Sequence, residues 1–234
     1  MRLFGRSRHI DLSRPIDLSR YVHVISLGCN CQVTHQLRRI TGEDGAQLLD
    51  WFVTPQAGAL AACEGRVDGL LTEEATDLHP AGIPVDRATQ IRFVHEAKSA
   101  DSLAGMIAAN APRIAELKRR WHALLASSEP ILFVRLRGPN ELVGYTDPAG
   151  FIRAESRALS EALARSRPRA VSDLLFVMAE GDPVPASTPA IRYASVAPGE
   201  TWHGNDSAWN ALFRPPREAA FSRLKRFLGG SPPS

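Results

Sequence analysis

ILFVRL at residues 131–136 and DLLFVM at residues 173–178 are continuous apolar stretches, and the segment between them at residues 152–165 has helical spacing. Neither stretch alternates apolar with polar residues, so we expect both faces of each strand to be covered. A strand, a helix and a strand in this order are typical of a parallel pair joined by a helical crossover. The sequence therefore predicts an α/β fold, a three-layer sandwich with a mostly parallel central sheet flanked by helices.

Further strands are predicted outward from this core. Residues 21–26 (YVHVIS) are rich in β-branched side chains and predict a buried strand. Residues 91–95 (IRFVH) predict a second core strand that ends at a histidine, and residues 191–196 (IRYASV) predict an outer strand. The apolar run at residues 47–53 (QLLDWFV) is compatible with a strand or with a buried turn.

Helices are predicted where apolar residues recur at helical spacing. One begins at Cys31, directly after the turn at residues 27–30, and Gly42 is placed to end it. Two others are expected at residues 102–109 and 111–126, with Asn110 as the N-cap of the second. A basic terminal helix is expected at residues 218–228.

The domain organisation predicted from these elements is simple. Residues 1–20 form a basic N-terminal leader, residues 21–228 form a single α/β domain, and residues 229–234 (GGSPPS) form a disordered tail. The leader lacks the apolar core of a secretory signal, and no stretch approaches the roughly 20 apolar residues of a membrane span. Three cysteines that cannot all pair fit reduced thiols, so we expect a cytoplasmic protein.

Charge indicates which partners to expect. The chain has 28 Lys and Arg against 25 Asp and Glu, for a formal net charge of +3. Runs of basic residues of this kind are typical of solvated helix faces. Aromatic residues do not alternate with them as stacking platforms for bases would, so we expect no nucleic-acid partner. The sequence leaves the oligomeric state open.

The turn before the first helix is where chemistry is expected. A helix N-terminus lowers the pKa of a thiol, and its unpaired amides can hold an oxyanion, so Cys31 is a candidate nucleophile. Gly28 leaves room for a substrate or for a positive φ, and Asn30 lies beside the same position. The alternative is that Cys31 is a small buried apolar residue.

Cofactors are not expected at this turn. Cys29 and Cys31 form a C-x-C pair, but zinc needs two more ligands, and Cys63 shows no recognisable finger spacing with any histidine. A dinucleotide fingerprint needs three glycines, and only Gly28 is present. We therefore predict neither a metal nor another cofactor.

Two histidines compete for the role of general base. If residues 91–95 form a strand beside residues 21–26, His95 emerges with Cys31 at the carboxyl edge of the sheet. His203 lies in a polar loop that could fold over the same edge, where Asn205 or Asp206 could orient its imidazole. The other interpretations are a structural strand-end histidine, and a loop whose tryptophans cover the sheet edge while Asp206 caps the next helix.

Other polar residues are candidates for supporting roles. The carboxylate of Asp50 could accept hydrogen bonds from the amides of the Cys31 turn or orient His95, or it could form a structural corner with Trp51. Arg135 follows an apolar strand and could hold an anionic substrate, with a solvent salt bridge as the alternative. Trp202 is a candidate substrate contact.

Several short motifs occur in an order that resembles a bacterial family of unknown function, catalogued as papain-like cysteine peptidases. They are Ser26-Leu27-Gly28-x-x-Cys31, Asp50-Trp51, Phe93-Val94-His95, Ile131–Arg135 and Trp202-x-Gly204-x-Asp206-x-x-Trp209. The resemblance covers roughly residues 21–213. It implies a thiol nucleophile at Cys31 and a histidine base at His95, and gene contexts linked to surface polysaccharides.

The sequence therefore predicts a cysteine-dependent hydrolase or acyl transferase that acts on a small-molecule, peptide or glycan substrate. The alternative is a non-catalytic binding or accessory domain in polysaccharide or nucleotide-sugar metabolism. In that case Arg135, Arg137 and the tryptophans Trp202 and Trp209 would hold a sugar or a phosphate.

Overall fold

A computed structural model of the protein describes residues 14–98, 100–137 and 146–214. Two short 3-10 turns, at Leu18–Arg20 and Glu96–Lys98, accompany the main elements. In chain order, those elements are β1 (Ile16–Asp17), β2 (His23–Ser26), α1 (Cys31–Thr41), α2 (Gln56–Cys63), β3 (Thr76–Leu78), β4 (Pro84–Asp86), α3 (Leu103–Ala126), β5 (Ile131–Leu136), α4 (Pro148–Ser166), β6 (Ser172–Ala179), β7 (Ile191–Val196), α5 (Asp206–Leu212) and β8 (Phe213–Arg214).

The central sheet has the strand order β2-β5-β6-β7, and all three pairings are parallel. The helical crossover α4 joins β5 to β6, as the apolar stretches at residues 131–136 and 173–178 predict. β5 and β7 have the predicted bounds, and β6 is one residue longer at each end. Because the order in space follows the order in sequence, β2 and β7 are the edge strands of this sheet.

Successive side chains of each strand enter opposite layers of the molecule. Ile131 and Phe133 of β5 join one core with residues from α2, α3 and α4. Leu132 and Val134 join a second core with residues from α1 and α5. Helices therefore cover both faces of the parallel sheet, and the predicted three-layer α/β sandwich is confirmed.

The segment predicted as a strand at residues 91–95 lies outside the central sheet. Arg92 forms only isolated antiparallel bridges, with Val53 and Val85. Ile91 and Phe93 are fully buried in the core shared by α2, α3 and α4, but their segment does not pair with β2, whose strand partner is β5. The prediction of a core strand here is wrong, because the alternating burial comes from an extended segment that bridges β4 and the loop at Val53.

The two helices predicted at residues 102–126 form one helix, α3, which is 24 residues long. Its N-cap is Ser102, whose hydroxyl oxygen accepts a hydrogen bond from Gly105 N at 3.1 Å. Asn110 is not an N-cap, and its amide donates to Met106 O at 2.8 Å. Buried residues lie on both sides of Pro112, and their packing offsets the roughly 3 kcal/mol that an interior proline costs.

The described chain also includes part of the segment predicted as a leader. β1 pairs in parallel with β8, and Ile16 and Leu18 are buried in the core beside α1 and α5. Residues 1–13, the helix predicted at residues 218–228 and the tail at residues 229–234 lie outside the described residues. No helix in the described ranges combines the length and the apolar character needed to cross a membrane.

Candidate active site

The turn between β2 and α1 has an unusual backbone. Gly28 has a φ of +74°, and Cys29, which is not a glycine, has a φ of +101°. A Cβ at Gly28 would lie 2.7 Å from Thr54 Oγ1, which is closer than side chains tolerate. Gly28 is therefore required by its positive φ and by the loop packed against it, and it does not present an open surface to a substrate.

Backbone strain at Cys29 is held in place by its surroundings. A non-glycine residue in this region of φ costs on the order of 1–3 kcal/mol. Cys29 is buried, and its carbonyl accepts a hydrogen bond from Thr54 N at 3.1 Å. Ser26 Oγ accepts another from Gly28 N at 3.0 Å. These contacts fix the direction in which the chain enters α1.

Arg135 links this turn to the loop at Thr54 through hydrogen bonds. Its side chain is fully buried, and Nη1 donates to Leu27 O at 3.1 Å and to Thr54 O at 2.7 Å. The prediction that Arg135 holds an anionic substrate is wrong, because the guanidinium lies under the turn and joins it to the loop at Thr54. A cation can be buried here because backbone carbonyls accept its hydrogen bonds.

Asn30 is the N-cap of α1. Its Oδ1 accepts a hydrogen bond from Gln32 N at 3.0 Å, so this amide of the first turn is occupied. The Cys31 N–H lies against the Cys31 sulfur itself and favours the thiolate. The predicted substrate contact at Asn30 is therefore replaced by a capping role, and the Cys31 amide is the first-turn donor placed beside the nucleophile.

Cys31 and His95 form the contact at the centre of the site. Cys31 Sγ lies 3.5 Å from His95 Nε2. The thiol is half-buried, whereas the imidazole is exposed, so the pair opens to solvent. His95 reaches the sulfur from the turn that follows Phe93, although residues 91–95 do not form the strand that was expected to carry it. The structure thus brings together the two residues predicted as nucleophile and base.

The electrostatics at Cys31 differ from the expectation. Burial raises the pKa of the Cys31 thiol, and the nearby Glu96 carboxylate raises it further, while the Cys31 amide lowers it. The predicted lowering of the thiol pKa at the helix N-terminus is therefore wrong, because burial outweighs it. Since the proton stays on sulfur near neutral pH, nucleophilic chemistry here needs a base that removes it.

Side-chain packing holds His95 in position. The Trp51 ring meets the imidazole edge-on, with centroids 5.7 Å apart, and the Arg38 guanidinium lies 5.2 Å from the centroid of the same indole. Glu96, which follows His95 and is buried, forms an ion pair with Arg113 of α3. Sequence reasoning considered Trp51 only as a structural partner of Asp50 and gave Glu96 no role, although both adjoin predicted site residues.

Asp50 has a structural role. Its carboxylate accepts hydrogen bonds from Gln47 N at 2.8 Å, from Arg38 Nη2 at 2.9 Å and from Thr34 Oγ1 at 3.2 Å. Burial raises the pKa of this carboxyl group, and these hydrogen bonds oppose the shift. Asp50 fastens the turn at residues 47–50 to α1. It neither binds the amides of the Cys31 turn nor orients His95, so both predicted catalytic roles are wrong.

His203 and Asp206 pack against α1 at His35 and Gln36, further from the start of the helix than Cys31. The His203 ring stacks on His35 at 4.3 Å, and Cys31 has His95 as its imidazole partner. The Asp206 carboxylate accepts a hydrogen bond from Gln36 Nε2 at 2.7 Å and lies 3.3 Å from Arg39 Nε, so its partners are side chains of α1. Asn205, not Asp206, caps α5, through a hydrogen bond from Ala208 N at 3.0 Å. The rival base and its orienter are not assembled at the sulfur.

The remaining candidate residues divide into buried and exposed. Arg137 forms an ion pair with Asp182, with Nε 2.9 Å from Oδ2, and Trp209 is fully buried beside α1. Neither side chain is available to hold a ligand, as the binding-domain hypothesis requires. Trp202, by contrast, has 57% of its side chain exposed.

Comparison with known proteins gives no further guide to this site. The chain matches no protein-family model, no curated protein and no solved structure. Among the described residues, no group of three or more His, Cys, Asp or Glu side chains is placed to hold a metal ion. The chemistry of the site is therefore read from the Cys31–His95 pair and the residues that position it.

Proposed function

We propose that this protein is a cysteine-dependent hydrolase or acyl transferase in which Cys31 is the nucleophile and His95 is the general base. The observation that carries the proposal is the 3.5 Å contact between Cys31 Sγ and His95 Nε2 at a strained strand-to-helix turn. A nucleophile and a base within reach of each other are the minimum arrangement for covalent acyl transfer. The open side of the pair gives a substrate access to both atoms.

The reaction begins with the transfer of the thiol proton to His95 Nε2 while the sulfur attacks the substrate carbonyl carbon. The carbonyl π electrons move to oxygen, and the Cys31 N–H is placed to stabilise the negative charge that develops there. Collapse of this intermediate expels the leaving group, which takes the proton from His95, and leaves an acyl thioester on Cys31. Water or another acceptor then gives a proton to His95 and attacks the thioester carbon. The C–S bond breaks, the acyl product leaves, and the Cys31 sulfur takes the proton back from His95.

The raised pKa of Cys31 determines how His95 must act. If the thiolate formed readily by itself, removing the histidine would have little effect on reaction with a simple electrophile. Because burial and Glu96 both favour the protonated thiol, the imidazole must accept the proton as the sulfur attacks. This mechanism couples reactivity at neutral pH to His95.

The resemblance to the papain-like cysteine peptidase family supports the same two residues. We propose a cytoplasmic location, in keeping with reduced thiols, and a small-molecule, peptide or glycan substrate. The alternative of a non-catalytic binding domain depends on Trp202 alone, since Arg135, Arg137 and Trp209 are buried or paired. A ligand that stabilises the protein equally with and without Cys31 would favour that alternative.

Alkylation of Cys31 by iodoacetamide at pH 7 tests the proposal. We expect His95→Asn to slow the labelling of Cys31 at least tenfold, and Cys31→Ala to abolish it at that position, as measured by mass spectrometry of peptides. His122→Asn is the matched control, because His122 lies on α3, where it pairs with Asp68. Equal labelling rates in the wild type and in His95→Asn would overturn the assignment of His95 as base.

A second experiment looks for the covalent intermediate. Incubation with an activated thioester or ester is expected to add one acyl group to Cys31, which the intact mass of the quenched protein detects. The Cys31→Ala variant should remain unmodified under the same conditions. Acylation elsewhere, with none at Cys31, would argue against a nucleophilic role for this thiol.

A further inference from the structure

Three aromatic side chains next to the thiol site take no part in the proposed reaction. The exposed indole of Trp202 meets His203 with ring centroids 3.9 Å apart and His35 with centroids 5.5 Å apart. His35 and His203 stack on each other at 4.3 Å, with their planes 17° apart. We call Trp202, His35 and His203 the aromatic platform.

The aromatic platform is fastened to α1. Gln36 Nε2 donates a hydrogen bond to His203 O at 2.6 Å, and Gly204 N donates to Thr201 O at 3.1 Å. Gly204 has a φ of +83°, and a Cβ at this position would lie 2.0 Å from Gln32 Nε2, so the loop sits directly on the helix. The exposed indole is therefore held in a defined position by the loop and by its ring neighbours.

The aromatic platform lies close to Cys31 along the helix. His35 comes four residues after Cys31, and side chains at this spacing share one face, with Cβ atoms about 5–6 Å apart. Side chains of an α-helix in general lean toward its N-terminus, which is the end of α1 that carries Cys31. A substrate whose carbonyl is held at Cys31 can therefore contact the indole of Trp202 with a second group that lies on the order of 10 Å from the carbonyl.

The charges around the aromatic platform are paired. Arg39 Nε lies 3.3 Å from Asp206 Oδ1, so these two groups compensate each other. Burial lowers the pKa of His35, and the neighbouring His203 and Arg39 lower it further, while Asp206 acts in the opposite direction. Since an unprotonated His35 adds no positive charge, the surface favours an uncharged flat group over an anion.

We infer that the aromatic platform is a substrate subsite that binds a flat-faced ring, joined to the reacting carbonyl by a short spacer. Two sources of the ring share the same contact chemistry, an aromatic group and the C–H face of a sugar. Offset or edge contacts between rings add a modest free energy beyond burial, which corresponds to about 2- to 10-fold in rate or affinity. The inference rests on the proposed function, because the thiol defines where the carbonyl lies.

Alkylating probes of matched size test the subsite. Chloroacetamides that carry a benzyl group, a glucosamine ring or an acyclic chain of equal heavy-atom number are compared by the rate at which they label Cys31. We expect at least one ring probe to react about 2- to 10-fold faster than the acyclic probe in the wild type. The faster probe identifies the source of the ring, and Trp202→Ala should remove its advantage.

Two controls separate this inference from the proposed function. Iodoacetamide, which has no ring, should label Trp202→Ala and the wild type at the same rate, and Val184→Ala removes an equally exposed apolar side chain elsewhere. In Cys31→Ala, unreactive acetamide analogues of the ring probes should still quench the tryptophan fluorescence, and adding Trp202→Ala should abolish the quenching, which separates Trp202 from the other three tryptophans. Equal labelling by ring and acyclic probes, with no quenching, would overturn the subsite even if Cys31 proves to be a nucleophile.

Discussion

Cys31 and His95 meet in one site, but the two halves of the molecule that carry them are built differently. Cys31 follows a strand of the central sheet, and its position is set by backbone geometry, by the buried Arg135 and by the close packing of Gly28 on Thr54. His95 follows a segment outside the sheet and is held by Trp51 and by the turn anchored through Glu96. Damage to the first half should therefore appear as lost stability, and damage to the second as lost reactivity.

The largest expected effect comes from Arg135→Met. The substitution leaves the carbonyls of Leu27 and Thr54 buried without this donor, at about 1–3 kcal/mol each, so we expect the free energy of unfolding to fall by about 4 kcal/mol. Urea unfolding followed by circular dichroism measures the loss. Arg66→Met removes an exposed arginine and should change stability by less than about 0.5 kcal/mol. A loss at Arg135 no greater than this control would show that this link between the turn and the Thr54 loop is unimportant.

Gly28→Ala is expected to have the next largest effect. The alanine Cβ would be strained by the positive φ and would also collide with Thr54, so we expect a loss of about 3 kcal/mol on unfolding. Gly42→Ala provides a matched control, because Gly42 has a φ of +70° and a Cβ added there would meet no atom within 4 Å. Its expected loss is about 1 kcal/mol. Similar losses for the two variants would mean that the contact with Thr54 does not constrain the turn.

Trp51→Ala tests the part of the site that positions His95. Without the indole beside it, His95 can leave the sulfur, so we expect alkylation of Cys31 at pH 7 to slow about tenfold, or roughly 1.4 kcal/mol. Trp51→Phe retains an aromatic edge contact and should restore most of the rate. If both variants label as fast as the wild type while the protein stays folded, packing by Trp51 does not position the base.

Glu96→Gln is expected to have the smallest effect, and it tests whether the Glu96 charge acts on the Cys31 thiol. The Glu96 charge raises the pKa of the Cys31 thiol, so its removal should let that pKa fall. The midpoint of the alkylation rate against pH should therefore move to lower pH, while the glutamine oxygen can still accept the hydrogen bond from Arg113 that anchors the turn. Glu116→Gln, at a partly exposed position of α3 where Glu116 pairs with Arg119 and Arg120, is the control. A midpoint that stays in place or rises would contradict a role for Glu96 at the thiol.

The sequence predicts features that depend on neighbouring residues better than features that depend on distant segments. β5 and β6 follow from continuous apolar runs, because a strand covered on both faces leaves that pattern whichever loops surround it. The start of α1 at Cys31 follows from the glycine turn and from the helical spacing beyond it, whereas the capping role of Asn30 was not predicted. Features that depend on local sequence are therefore predicted well.

Features that depend on contacts between distant segments are not. The alternation in residues 91–95 is real, but local sequence cannot distinguish pairing with the sheet from pairing with Val53 and Val85. Arg135 has the same appearance in sequence whether it faces solvent or lies under a turn contributed by other segments. The residues next to Asp50 in sequence likewise do not indicate that its hydrogen-bond partners lie on α1. The proximity of His95 to Cys31 is predicted from an element that does not form.

The pairing of β1 with β8 has a consequence for the cooperativity of unfolding. These strands come from opposite ends of the described chain, and they share a core with α1 and α5. Detaching either strand removes the hydrogen-bond partner of the other, so the two should open in a single event. The amides of β1 and β8 should then exchange with deuterium at one common rate. Fraying of β1 is linked in this way to fraying of β8.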